Sequence, residues 1–175
     1  MTSTQKTIET AIGPLTLTAE DGVLGGLWFP GHWTTPDRTG FGDEVEEGFE
    51  AVEEQLAAYL AGDRRDFDVP TRAAGDEFQR RVWERLGRIP YGETVTYGEI
   101  ARELGDPNLA RRVGGAVGRN PLSILVPCHR VIGSTGSLTG YAGGLERKRA
   151  LLTLEGVPLD PGADRVLAAP ALTLF

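Results

Sequence analysis

The chain opens with short apolar or β-branched runs at residues 7–10, 15–18 and 23–29, broken at Ile12-Gly13-Pro14 and at Glu20-Asp21-Gly22. Runs of this length between turn-forming residues predict three strands of a small antiparallel meander. A polar stretch rich in glycine and proline covers residues 30–42, and then the period changes. Val45, Phe49, Val52, Leu56 and Leu60 recur every three or four residues, which predicts a helix with one buried stripe, ended by Gly62. Residues 63–75 have no periodicity and include Pro70, so they predict a linker, with a domain boundary near Ala74.

Beyond the linker, Phe78, Val82 and Leu86 fall at i, i+4 and i+8 and predict a helix over residues 76–87, stopped by Ile89-Pro90. Thr96 and Glu99 form a T-x-x-E capping box for a short helix carrying Ile100 and Leu104, which Gly105 closes. Asp106-Pro107-Asn108 then turns the chain into a third helix over residues 109–119. Two short helices about a tight turn, the second rich in arginine, outline a helix-turn-helix, although many helical hairpins share that outline. In the third helix Arg111, Gly114, Gly115 and Gly118 share the face opposite Leu109 and Val113. Each internal glycine costs about 1 kcal/mol relative to alanine, so three on one face answer a need for close approach. Two readings meet that need: tight packing against another helix, or insertion into a nucleic-acid groove with Arg111, Arg112 and Arg119 around it, the narrow minor groove suiting so thin a helix. The pattern finally predicts a buried strand over residues 122–126, a glycine-rich wing and loop over 133–144, and a helix over 144–155 with Arg147-Lys148-Arg149 on its outer part.

The chain has 175 residues, 40% hydrophobic and 25% charged, enough for one or two compact domains. No window reaches the roughly 18–20 apolar residues of a membrane span, and residues 1–10 hold no signal-peptide run, so the expectation is a soluble, cytoplasmic protein with no membrane partner. A net charge of -7 argues against nucleic acid until it is divided. Residues 1–74 carry 5 basic and 14 acidic groups, whereas residues 75–156 carry 12 basic and 9 acidic. Within residues 109–149 seven bases face one acid, the concentration that a phosphate-binding surface requires. The bland counterpart is a solvated, arginine-rich surface.

The sequence has one cysteine, Cys128, and two histidines, His32 and His129. This forbids an intrachain disulfide and leaves too few ligands for a zinc site, so no metal is expected. The lone thiol is either a small buried hydrophobe or a nucleophile. With Pro127 before it and His129 after it in a basic segment, the setting is rigid and cationic and is expected to favour the thiolate. Neighbours in extended chain point to opposite faces, so a water would link Cys128 to His129. Glu155, at the end of the last helix, either orients an imidazole or is merely solvated.

The run Ile124-Leu125-Val126-Pro127-Cys128-His129-Arg130-Val131-Ile132, followed by Gly140-Tyr141-Ala142-Gly143-Gly144-Leu145, resembles the active-site signature of the O6-alkylguanine-DNA alkyltransferases, also called methylated-DNA–protein-cysteine methyltransferases. The likeness extends back through Pro90-Tyr91-Gly92, Thr96-Tyr97, Arg111-Arg112-Val113-Gly114-Gly115-Ala116 and Asn120-Pro121, and forward to Leu154-Glu155-Gly156, about half of the chain. It implies an α/β (α+β) fold: a ribonuclease-H-like α/β domain of structural role over residues 1–74 with the linker, a winged helix-turn-helix domain over 75–156, and a tail over 157–175. It also implies direct, irreversible and stoichiometric transfer of an alkyl group to Cys128 from O6-alkylguanine, with O4-alkylthymine as a further substrate, in double-stranded DNA. No cofactor is implied, and the protein is expected to be a monomer in solution.

By the same resemblance His129 takes the thiol proton through a water, Glu155 fixes the imidazole, and Tyr97 donates toward guanine N3. Arg111 fills the gap left by the flipped nucleotide, while the helix around Ala110, Gly114 and Gly115 lies in the minor groove with Arg112 and Arg119 on DNA. Carbonyls of Cys128 and Val131 read the guanine amino group and the Ala142 N–H reads O6. Val117, Val131, Tyr141 and Gly143 bound the pocket, and Asn120 ties the recognition helix to the active-site strand. The family most often has serine at the position of Ala142, where the implied contact is through backbone. Some relatives carry zinc in the N-terminal domain, for which this chain lacks ligands. Three other classes compete. A non-enzymatic lesion-binding relative would lack the cysteine, a winged-helix regulator would need a dimerisation or effector domain, and a thiol hydrolase would need a second histidine near the first. A thioether is not cleaved by water, and no second thiol exists, so each molecule is expected to react once.

Overall fold

The structure, a computed structural model, describes residues 1–32 and 34–167. The meander forms as β1 (Ser3–Thr10), β2 (Gly13–Glu20) and β3 (Val23–Trp28), antiparallel, with Gly13 at φ +104° in the first turn. Leu15, Leu17 and Ala19 alternate inward along β2. A two-residue strand, β4 (Asp43–Glu44), was not expected. It pairs parallel to β1 at Thr4 and Gln5, giving the order β3-β2-β1-β4, and two charged residues carry no periodic signal.

Helix α1 (Glu50–Leu60) starts later than its apolar stripe. Phe49 takes the N-cap position, and the Val45 N–H is already bonded to the Gln5 carbonyl, so Val45 belongs to the sheet. The segment after α1 is docked chain: Arg72 N–H donates to the Leu24 carbonyl beside β3. Helix α2 (Glu77–Leu86) begins at a capping box of Asp76 and Gln79. β5 (Val95–Thr96) leads into α3 (Tyr97–Glu103), capped by Thr96 and Glu99 as the T-x-x-E pattern predicts. A 3-10 turn at Pro107–Leu109 then delivers α4 (Ala110–Gly118).

Residues 122–126 are not a strand. They form a tight buried turn with a single bridge from Leu122 to Leu27, and Ile124 sits at φ +73°. The apolar run satisfies its burial without a ladder because Asn120 supplies the partners: its Oδ1 accepts from Leu122 N–H and its Nδ2 donates to the Val126 carbonyl. The parallel partner of β5 is instead β6 (Val131–Ile132).

Helix α5 (Leu145–Leu154) closes the fold, and its basic run is outside only in part. Lys148 is fully buried, Arg147 reaches the carbonyls of Ile12 and Gly143, and Arg149 reaches those of Ala163 and Asp160. One buried cluster runs through both halves of the chain, from Leu17, Leu27 and Leu56 to Val82, Ile100, Val113 and Leu151. A smaller one joins Ile132, Leu138, Leu152 and Val157. The beginning of the expected tail pairs with the glycine-rich loop, Val166 N–H to the Gly136 carbonyl and Leu138 N–H to the Asp164 carbonyl; residues 168–175 of that tail lie outside the described residues. The architecture is a mixed α/β fold, and among the described residues no helix is long and apolar enough to cross a membrane.

Candidate active site

The turn ahead of Cys128 determines how the thiol is presented. Ile124 is β-branched and left-handed, a conformation costing on the order of 1–3 kcal/mol that survives only where neighbours over-determine it. They do so here through both Asn120 bonds and through Leu27 N–H, which donates to the Pro121 carbonyl at 2.8 Å. Pro127 then caps a 3-10 turn, Cys128–Arg130, in place of the extended chain expected. Cys128 is 6% exposed. Burial pushes its thiol up from the ordinary range, only partly opposed by the Asn120 side chain and the Lys148 ammonium, so the resting group is a thiol and the expected thiolate setting is corrected.

His129 and Glu155 meet in the interior. The imidazole Nε2 lies 2.7 Å from Glu155 Oε2, and both side chains are fully buried. Glu155 is thus a hub rather than a solvated helix end. Arg130 Nε donates to Oε1 at 2.7 Å and Nη2 to Oε2 at 3.0 Å, Gly92 N–H donates to Oε1 at 3.1 Å, and the Tyr59 hydroxyl donates to Oε2 at 2.5 Å. Burial alone would raise the Glu155 carboxyl, but hydrogen bonds from His129 and Arg130 outweigh it and hold the group well below the usual carboxylate range. Burial lowers His129, against the pull of Glu155. A carboxylate at Nε2 requires the proton there, which leaves the Nδ1 lone pair as the base, and Nδ1 is buried with no hydrogen-bond partner among the described residues.

Near the thiol the Tyr97 hydroxyl donates to the Thr139 carbonyl at 3.1 Å. Lys148 Nζ donates to that carbonyl at 3.1 Å and to the Val131 carbonyl at 2.6 Å, and burial lowers its pKa to about 8. Tyr141 packs edge-on against Phe29 at 6.0 Å, and its buried hydroxyl has no partner among the described residues. Gly143 is required, since a Cβ there would stand 2.6 Å from the Phe29 ring. Ala142 is half-buried, while Val117 and Val131 are buried.

Helix α4 buries Val113, Ala116 and Val117, and Trp83 of α2 donates its indole N–H to the Ala116 carbonyl at 2.8 Å. Its other face is open. A Cβ at Gly114 would meet the Tyr97 ring no closer than 3.8 Å, and one at Gly115 would meet only the tip of Arg119 at 3.6 Å. These are ordinary contacts, so internal packing does not demand glycine at either position, and the tight-packing reading fails there. Arg111 and Arg119 are exposed and Ala110 is half-buried. Arg112 is also exposed, with its guanidinium 3.9 Å over the Phe78 ring.

The structure therefore joins His129 to Glu155, places Tyr97 and Tyr141 near Cys128, and leaves His32 apart, buried against Trp28 and bonded to Thr34. The sequence reading missed Tyr59, Arg130, Lys148 and Phe29. Arg130 stood inside the Pro-Cys-His-Arg run and Lys148 inside a basic run, but Phe29 carries no signal beyond the third apolar run and Tyr59 falls outside the stripe of the first helix. Among the described residues no group of three or more His, Cys, Asp or Glu side chains forms a metal site.

Residues 77–157 match the family described as 6-O-methylguanine DNA methyltransferase, DNA binding domain. A methylated-DNA–protein-cysteine methyltransferase of Mycolicibacterium paratuberculosis is 52% identical over 150 residues, covering 86% of this chain and 90% of the relative. A protein of the same name from Methanosarcina acetivorans is 57% identical over 113 residues, covering 65% of this chain and 72% of that one. The crystal structure of Mycobacterium tuberculosis OGT in complex with DNA superposes with a TM-score of 0.82 at 50% identity, over 87% of this chain and 93% of the other. A buried thiol beside a histidine–glutamate pair, with a relative 52% identical over 90% of its own length, places the chain in the methylated-DNA–protein-cysteine methyltransferase family.

Proposed function

We infer that the protein repairs DNA by direct damage reversal, moving an alkyl group from O6-alkylguanine to Cys128. The observation that carries this reading is the position of Cys128: a buried, neutral thiol next to an imidazole whose Nε2 is held by Glu155 and whose Nδ1 is free to take a proton. Activation at the moment of reaction suits a nucleophile that must stay inert until a substrate fills its pocket. The sulfur–carbon bond forms as the O6–carbon bond breaks, and the thiol proton passes through a water to His129. Tyr97 gives its hydroxyl proton toward guanine N3, exchanging its bond to the Thr139 carbonyl for one to the base. The Val131 carbonyl, held by Lys148, reads the guanine amino group with that of Cys128, and the Ala142 N–H reads O6. Val117, Tyr141 and Gly143 bound the base.

In this reading α3 and α4 are the helix-turn-helix of a winged-helix domain over residues 75–156, and residues 1–74 form a ribonuclease-H-like domain. The open face of α4 enters the minor groove of double-stranded DNA, where Gly114 and Gly115 allow a close approach that no internal packing explains. Arg111 replaces the extruded nucleotide, Arg119 adds charge, and Asn120 couples α4 to the active-site turn. The protein acts as a cytoplasmic monomer without a cofactor, once per molecule.

Intact-mass spectrometry after incubation with duplex DNA containing O6-methylguanine tests the reaction. The expected result is a stoichiometric gain of one methylene equivalent on Cys128, absent in Cys128→Ser, with damaged-DNA affinity kept within several-fold. Transfer by Cys128→Ala at a substantial fraction of the wild-type rate would overturn the assignment.

A further inference from the structure

Tyr59 lies on α1, 69 residues before the thiol and on the far side of the linker, in the half of the chain to which the sequence assigned only a structural role. Its ring is 1% exposed and its hydroxyl donates to Glu155 Oε2, the same oxygen that receives His129 Nε2. The ring is held from two sides, by Phe67 at 5.4 Å and by Tyr91 at 6.2 Å, so the hydroxyl has little freedom to turn elsewhere. No other residue of α1 reaches the catalytic pair through a hydrogen bond.

We propose that Tyr59 is a positioning residue for the transfer reaction, a donor from the N-terminal half that sets how strongly Glu155 attracts the proton of His129. The idea rests on the functional reading above and deepens it. An oxygen shared between a phenol and an imidazole puts less negative charge at either donor than one serving the imidazole alone. With Tyr59 in place, Glu155 orients the ring and fixes its tautomer while leaving the imidazolium only moderately stabilised, so Nδ1 stays unprotonated and available at neutral pH.

The other ionisable groups facing His129 make this balance sensitive. Arg130, on its own turn, and Lys148, on α5, both disfavour imidazolium, and Glu155, at the C-cap of α5, favours it. Cys128 and Tyr141 lie on the thiol side and Tyr91 beneath Arg130. Among the side chains that hydrogen-bond Glu155, Tyr59 acts as a neutral donor on the oxygen that His129 shares, while the Gly92 N–H serves the other oxygen. The phenol itself stays protonated, because burial and the adjacent carboxylate push it well above the tyrosine range.

The test is Tyr59→Phe, which keeps the ring and removes the donor, read first by imidazole NMR titration of the free protein and then by the pH dependence of transfer at saturating DNA. The His129 midpoint should move up by at least about 0.5 pH unit as Glu155 turns its full charge to the imidazole. The acid limb of the transfer rate should move by the same amount, with DNA affinity unchanged and the alkaline plateau kept within about threefold. Incorporation of 3,5-difluorotyrosine at position 59, a stronger donor of the same shape, should move the midpoint the other way. This second arm decides the matter even if Tyr59→Phe fails to fold. Midpoints that do not respond to either change, with only thermal stability altered, would overturn the proposal. Because the NMR arm needs no transfer, its failure is separable from failure of the repair reading, which Cys128→Ser tests.

Discussion

Two clusters of positive charge lie within 40 residues of each other, and they do opposite things. Arg111, Arg112 and Arg119 of α4 all stay exposed. The other four bases are taken up by the protein's own acceptors, Arg130 and Lys148 in the interior and Arg147 and Arg149 half-buried: Glu155 and the carbonyls of Ile89, Ile12, Gly143, Val131, Thr139, Ala163 and Asp160. Counted along the sequence these seven bases are one electropositive segment; in space only three remain for an external anion. The difference lies in what surrounds each group. Turns that bury backbone carbonyls without a ladder need donors, and long cationic side chains reach them, whereas a regular helix such as α4 already satisfies its own carbonyls and leaves its arginines free.

The comparison breaks most severely if the inner cluster loses its acceptor. Glu155→Gln leaves Arg130 buried without its counter-charge and takes from His129 the charge that stabilises its imidazolium. The expected loss is about 3–5 kcal/mol of folding free energy by urea denaturation, together with a transfer rate reduced far beyond any change in DNA affinity. Stability within 1 kcal/mol of wild type, an estimate well below that range, would mean that the inner cluster is not held together by Glu155.

Lys148→Met ranks next. It leaves the Val131 and Thr139 carbonyls short of a donor, a cost of about 1–3 kcal/mol at pH 7. The sign of its pH dependence follows from the lowered pKa. Between about 8 in the folded protein and 10.5 in the unfolded chain, the unfolded state binds more protons at this group, so its contribution to stability rises with pH across that window. Cys128, Tyr59 and Tyr141 have raised values and act oppositely at alkaline pH, so the quantity to measure is wild type minus variant. That difference should widen from pH 8 to 10.5; a flat difference would place Lys148 as an ordinary surface-like lysine.

How legible all this was depended on whether a residue's partner lay nearby in sequence. The capping box at Thr96 and Glu99, the α2 stripe and the three-stranded meander rest on local pairings and emerge as written. The run over residues 122–126 reads as a strand because it is uniformly apolar, yet apolarity specifies burial and not the hydrogen-bond pattern, which Asn120 decides. The inward course of Lys148 was hidden for the same reason: its acceptors, Val131 and Thr139, are exposed as donors' targets only once β6 and the following loop are folded. The thiol itself was found by motif. Its protonation state was not, because that depends on burial and on groups distant in the chain, Asn120 and Lys148 among them.

Arg111→Ala belongs to the outer cluster and should separate binding from folding. Its side chain makes no hydrogen bond or ion pair within the described residues, so stability should stay within about 0.5 kcal/mol of wild type. DNA affinity and transfer rate should each fall about tenfold, because extruding a base costs a few kcal/mol that the arginine partly offsets. The loss should shrink when the target base is already unpaired. An equal loss on free O6-benzylguanine, where no duplex is opened, would remove Arg111 from this role.

Arg112→Ala should have the smallest effect, and it sharpens the comparison from within the outer cluster. The guanidinium lies 3.9 Å above the Phe78 ring, so truncation should cost about 0.5–1 kcal/mol of stability through the lost cation–π contact. If that contact persists on DNA, Arg112 neutralises no phosphate, and the slope of log affinity against log salt should match wild type. A slope shallower by about 0.9 would instead correspond to one lost phosphate contact. That outcome would mean the side chain leaves Phe78 when DNA arrives, making Arg112 a full member of the binding face. Measuring both slopes, with Arg119→Ala as a second exposed arginine of α4, therefore decides whether exposure alone or freedom from an internal partner makes an arginine of this helix available to DNA.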